Sequence, residues 1–214
     1  MISRTHLIWL AGLVLGDMFL GVVAIGLLPN RVPVHWDFRG EIDRYGSPWE
    51  LAFILPVVVM LVAALLVAIP SIGSISASLQ RSRATYGRVS IAIVTLLVAI
   101  HAILLMAVWE RPWDVPTAIL IALSLLLLIL GNSMGKIRRN SVVGIRTPWT
   151  LQSDRIWERT HRIGGRLQVL HGLTVLASAI LLPTWATLVV LLLGLIALVL
   201  WAFLYSRSLA LHAQ

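Results

Sequence analysis

Residues 115–151 read VPTAILIALSLLLLIL followed by GNSMGKIRRNSVVGIRTPWTL. The run from Val115 to Leu130 carries no charge and has no polar face. From Gly131 to Leu151 the chain becomes a polar island, mixing Gly, Asn, Trp and Thr-Pro with many basic residues. A bilayer core about 30 Å thick is crossed by roughly 20 apolar residues at about 1.5 Å each, so a run of the first kind reads as a membrane span. A plain loop between spans tolerates almost any polar residue. The residue mix of this one reads as a structured, interacting surface.

The same alternation extends in both directions. Further apolar runs lie at Leu7–Leu28, Leu51–Ile69, Val89–Val108, Leu167–Leu182 and Ala186–Tyr205, and the run at Val115 extends towards Met134. Of the 214 residues, 59% are hydrophobic and 12% charged, too few charges to give soluble helices their polar faces. The expected fold is therefore an all-α integral membrane protein of six transmembrane helices, with a small ordered outer loop and an inner amphipathic helix. Three units are expected: 1–70 with the loop 29–50, 71–114 with a basic inner loop and the third span, and 115–214 with the island 131–166. The first run is longer than the apolar stretch of a signal peptide and reads as an uncleaved anchor. There is no cysteine, which excludes disulfides, thiol catalysis and Cys-ligated zinc. A net charge of +8 would suggest nucleic acid in a soluble chain. Between membrane spans it points instead to anionic lipid at the inner face, with no direct nucleic-acid partner.

Charge also orients the spans. With both termini inside, only Arg31, Arg39, Arg44 and Arg111 of the 17 Lys and Arg residues fall outside, which gives an N-in, C-in, multi-pass reading. Trp36, Trp49, Trp109, Trp113 and Trp185 then sit at outer span ends, where an aromatic belt belongs. Trp109 to Asp114 reads as a tight outer connection.

In the outer loop, Val32, Val34, Trp36 and Phe38 alternate with Pro33, His35, Asp37 and Arg39. Period two predicts a short strand that packs Trp36 and Phe38 on the bundle rim and presents His35 beside Asp37. Arg39-Gly40 and Tyr45-Gly46-Ser47-Pro48 read as turns. His35, Asp37 and Asp43 are the candidate ligands should a divalent metal be held, but no metal-motif spacing is present. The preferred reading is a hydrogen-bonded loop in which Asp37 or Asp43 orients His35.

Three polar residues interrupt the spans. Asp17 lies roughly 15 Å from the inner edge of its run and His101 roughly 18 Å from the same edge, so the two can meet. A charge at that depth costs at least about 2.5 kcal/mol, which makes a partnered pair the expectation, whether functional or for packing. His171 is expected near the headgroups.

Within the island, Thr147-Pro148 reads as a helix start and Ser153 as a second cap. Beyond it, Trp157, His161 and Gly164 share one face, while Arg155, Arg159, Arg162 and Arg166 form a stripe on another. This predicts an amphipathic helix on the inner leaflet with its arginines towards lipid phosphates. The stretch Gly131 to Lys136 is too short for a phosphate loop, and no strand precedes it. No nucleophile elbow or other complete catalytic set is present.

The island resembles the C-terminal signature of the SdpI family of bacterial membrane proteins. The residues that carry the likeness are Asn132, Met134 to Ser141, Gly144 to Leu151 (including Arg146, Thr147, Pro148 and Trp149), Trp157, Thr160, His161 and Arg162; among them Lys136 and Asn140 keep the pattern, while Arg139 stands where proline is common. Pro29, Pro33, His35, Trp36, Gly40, Asp43, Arg44, Tyr45 and Gly46 resemble an N-terminal domain of unknown function often fused to it. The resemblance implies a non-enzymatic immunity protein of the bacterial cell membrane that protects against a secreted toxic peptide and also signals by holding a transcriptional repressor at the membrane. It implies no cofactor. On this topology the toxin would meet the outer loop and the repressor the inner island. Two other classes remain open: a membrane enzyme acting on peptide or lipid, metal-dependent if ligands converge, and a small proton-coupled transporter using Asp17 and His101.

Overall fold

Caps and prolines divide the chain into its helices. The computed structural model describes residues 3–109 and 114–212. Helix α1 (Arg4–Ile25) starts at Ser3, whose hydroxyl accepts the His6 amide. Helix α2 (Pro48–Ala68) starts at Ser47 with Pro48 in its first turn, and Pro70 closes the turn that ends it. A short helix α3 (Gly73–Leu79) leads into α4 (Arg83–Met106). Helix α5 (Val115–Met134) is capped by Asp114, α6 (Pro148–Gln152) by Thr147 and α7 (Asp154–Leu181) by Ser153; α8 (Thr184–Leu211) follows Pro183. These are the positions where a cap oxygen or a missing amide satisfies the first turn.

Six of these helices are long and apolar enough to cross a membrane. They form two groups of three. α1, α2 and α4 pack together around Leu10, Val59, Ala63 and Val94. α5, α7 and α8 pack around Leu120, Leu127, Val175 and Leu191, and α4 against α5 joins the groups. Gly131 and Gly165 set the α5–α7 crossing: a Cβ on Gly165 would lie 2.6 Å from the Gly131 carbonyl oxygen. Small residues let membrane helices approach this closely, and dispersion between backbones then replaces the hydrophobic effect that lipid does not supply.

The fold departs from all-α at one end. Strand β1 (Val32–Trp36) pairs antiparallel with β2 (Ile42–Gly46), with irregularities on either side of His35. Tyr45 and Gly46 thus lie in a strand, not in the expected turn, because the turn closes earlier, at Gly40 with φ +92°. Val32 is fully buried among Ala24, Leu51 and Leu105, which anchors the hairpin to the first three spans. Gly40 reaches Asp114 and Thr184 at the starts of α5 and α8, so the hairpin touches both groups.

At the opposite end, the expected surface helix does not lie separately on the bilayer. It is the first half of α7, continuous with the fifth span. Gly164 and Gly165 do not break it, because both are packed, against Ile145 and Trp201 and against Gly131. The basic segment after α2 holds α3 where a loop was expected. The tight connection expected from Trp109 to Asp114 falls partly on residues 110–113, outside the described residues.

Candidate functional site

The island folds as a scaffold of buried polar contacts with a basic face outside it. Asn140 is its centre. Its amide nitrogen donates to the carbonyls of Arg138 and Val143, and its oxygen accepts the amides of Val142 and Val143. All four bonds are 3.0 Å or shorter, so a buried side chain is satisfied by its own loop. The chain then turns at Gly144, whose φ of +119° suits only glycine, and a Cβ there would strike the His161 ring.

His161, 1% exposed, locks the turn to α7. Its Nε2 accepts the Ile145 amide at 2.8 Å and its Nδ1 donates to the Trp157 carbonyl at 2.8 Å. That pair of bonds requires the neutral imidazole. The ring stacks on Trp157, with centroids 4.0 Å apart, and the Trp157 indole donates to the Ile137 carbonyl. Thr147 and Thr150 cap α6 reciprocally, and the Thr147 hydroxyl donates to Ser206 on α8. Trp149 lies edge-on to Phe203.

Asn140, Gly144, Thr147, Trp157 and His161 therefore build the loop, whereas Asn132, Lys136, Arg146, Pro148 and Arg162 are exposed on it. The stripe of Arg155, Arg159, Arg162 and Arg166 is exposed as expected. Reading the sequence missed the residues that hold the loop from Lys136 to Ser141 in place. Ser82 bonds the amide and carbonyl of Arg138, Ser78 the amide of Ser141, Glu158 the Arg138 side chain, and Asp154 that of Arg139. Serines near Arg81 carry no local signal for a partner dozens of residues away. Between α3 and the island lies a cleft of about 310 Å³ lined by Ser78, Arg81, Arg139 and Asn140.

At the hairpin end, His35 Nδ1 lies 2.6 Å from Asp43, not beside Asp37. Asp37 turns back on its own loop and accepts the amides of Arg39 and Glu41. The bond from Glu41, with those from Arg39 and Gly40 and the charge of Arg39, holds its carboxyl below the usual 3.8 against a desolvation that works the other way. Hence the three candidate metal ligands do not converge, and no cluster of three His, Asp or Glu suited to a metal occurs among the described residues. Phe38 is 60% exposed, not packed on the rim; the Arg39 guanidinium covers its ring. Trp36 is half-buried. Arg44 pairs with Glu50, and Tyr45 lies under Arg31.

Between the two ends, Asp17 and His101 meet across α1 and α4 at 2.8 Å, both fully buried. The second Asp17 oxygen and His101 Nε2 have no partner among the described residues. His171 is buried against α8, where a methyl on Gly194 would overlap its ring, and its Nε2 has no partner among the described residues.

Residues 136–206 match the SdpI/YfhL protein family, and residues 12–61 match a domain of unknown function, DUF1648. The chain is also similar to the Immunity protein SdpI of Bacillus subtilis (strain 168), with 26% identity over 178 residues, 83% of each chain. No solved structure matches. The first of these matches starts within the island and runs through the helices that clamp it, the second runs from within the first span through the hairpin into the second, and this multi-pass chain is thus similar to the SdpI/YfhL protein family over its C-terminal part, with a DUF1648-like segment ahead of it.

Proposed function

We propose that this chain is an SdpI-like immunity protein of the bacterial cell membrane that protects the cell producing it from a secreted toxic peptide. The likeness to the Immunity protein SdpI, over 83% of both chains, carries this reading. The spans lie N-in, C-in, so the hairpin faces outward and meets the peptide at His35, Trp36, Asp37, Gly40, Asp43, Arg44 and Tyr45. Support comes from the hairpin's exposed ion pairs and aromatic rings, held rigid by buried Val32. The arginine stripe of α7 rests at the inner leaflet against anionic lipid, in accord with its exposure. The basic cleft beside Asn140 receives a cytoplasmic transcriptional repressor through acidic side chains. Cells sensitive to such a peptide, challenged with and without this chain in their membranes, provide the test. Survival restored by the chain is the expected result, and killing at the rate of cells lacking it is the opposing one.

A second reading, a small proton-coupled transporter, draws on Asp17 and His101, each with an unpartnered polar atom at mid-span. Proton uptake by vesicles containing the chain, abolished in Asp17→Asn, would favour it over immunity.

A further inference from the structure

Beside the island, α7 and α8 leave a groove of about 510 Å³. Its walls are apolar: Leu195, Leu198, Val199, Trp201 and Phe203 come from α8 and Met134 from α5. Two polar groups differ from this lining. Arg146 is exposed and lies on the island side. Gln168 is 9% exposed, lines the groove, and its amide makes no hydrogen bond among the described residues. The Gln168 amide is open to the groove, so a ligand seated there can bond it.

We propose that this groove is a binding site for one anionic phospholipid. Its walls are the flanks of two membrane-spanning helices, so bilayer lipid is the medium that adjoins it. Arg146 opposes a phosphate at the interface, where its guanidinium offers charge-assisted bonds. Gln168, deeper along α7, faces the ester carbonyls that follow the phosphate in a phospholipid and donates to one of them. The acyl chains then lie along Leu195, Leu198 and Val199. This arrangement of cation, then amide, then apolar wall follows the order of groups in the lipid itself. The site differs from the arginine stripe, which attracts anionic lipid without shaping a place for it. It also stands independently of the immunity reading.

The test is native mass spectrometry of the full chain released from micelles containing equal phosphatidylglycerol and phosphatidylcholine of matched chains. Wild type is expected to retain one phosphatidylglycerol about tenfold over phosphatidylcholine. Arg146→Gln should remove the preference, and Val199→Trp, a change at an exposed groove residue, should reduce retention of both lipids. Arg155→Gln, on the stripe and outside the groove, should change neither. Thermal unfolding confirms that each variant is folded, and Gln168→Leu serves as the second groove variant if Val199→Trp is not. Equal loss in Arg155→Gln and Arg146→Gln would overturn the site in favour of diffuse charge. So would wild type that retains no lipid, or that holds an apolar basic model peptide in preference to phosphatidylglycerol.

Discussion

His161 takes the Ile145 amide on Nε2 at 2.8 Å, and this one bond ties the island's turn to the helix that follows it. The ring is 1% exposed and stacked on Trp157, so nothing else is placed to satisfy that amide if the imidazole is removed. His161→Ala should cost about 2–4 kcal/mol, combining a cavity with an unsatisfied donor. Thermal unfolding of the purified protein reads the loss. Trypsin should also cleave faster after Arg138, Arg139 and Arg146, since the loop opens before the spans do. Unchanged cleavage would mean that the island is held without His161.

Gly165→Ala tests the α5–α7 crossing. The added methyl would lie 2.6 Å from the Gly131 carbonyl oxygen, a backbone atom that cannot rotate away. The helices must separate, at a cost of about 1–3 kcal/mol. Gly135→Ala is the control, because its Cβ would meet nothing closer than 3.9 Å. The two variants should therefore differ clearly in melting temperature.

Asp17 and His101 should be coupled. Asp17→Ala strands a buried imidazole and should cost about 1–3 kcal/mol. The double variant Asp17→Ala/His101→Ala should cost less than the two singles together, with a coupling of about 0.6–2 kcal/mol, the range of interhelical hydrogen bonds in membranes. Additive losses would show that the contact holds no energy of its own.

The hairpin's turn should depend on pH through Asp37. Its carboxyl titrates below 3.8 because the ionised form accepts the Glu41 amide and those of Arg39 and Gly40. A group with a depressed folded value stabilises above its unfolded value and loses that contribution as pH falls through the folded one. The protection of the Arg39 and Glu41 amides, relative to the intrinsic exchange rate at each pH, should hold at neutral pH and fall only as pH drops below 3.8. Asp37→Asn should show low protection at both neutral and acid pH.

Much of this was legible in the sequence, because lipid simplifies the code. With no water inside a bilayer, an apolar run of the right length has to be a helix, and Thr147-Pro148 and Ser153 then mark where helices start, whereas Ser47-Pro48 reads as a turn and yet caps α2. Period-two alternation revealed β1 but not β2, since Ile42 to Gly46 is exposed and shows no buried face. The same alternation placed Phe38 inside, although the strand had already ended at Trp36. Depth counting paired Asp17 with His101 because both spans are straight rods of known rise. It did not show that His171 is buried, because that depends on the room Gly194 leaves on α8. The amphipathic helix was legible as a face but not as a continuation of the fifth span, because two glycines that look like a break are packing positions.

Survival under toxin challenge at matched membrane levels bears most directly on the immunity reading. Sensitive cells would carry wild type, His35→Ala or no chain, with His35 chosen because its bond to Asp43 is exposed and its loss leaves the bundle intact. Wild type should protect, and His35→Ala cells should survive no better than cells without the chain. Wild-type cells dying as fast as cells without it would rule out an immunity role.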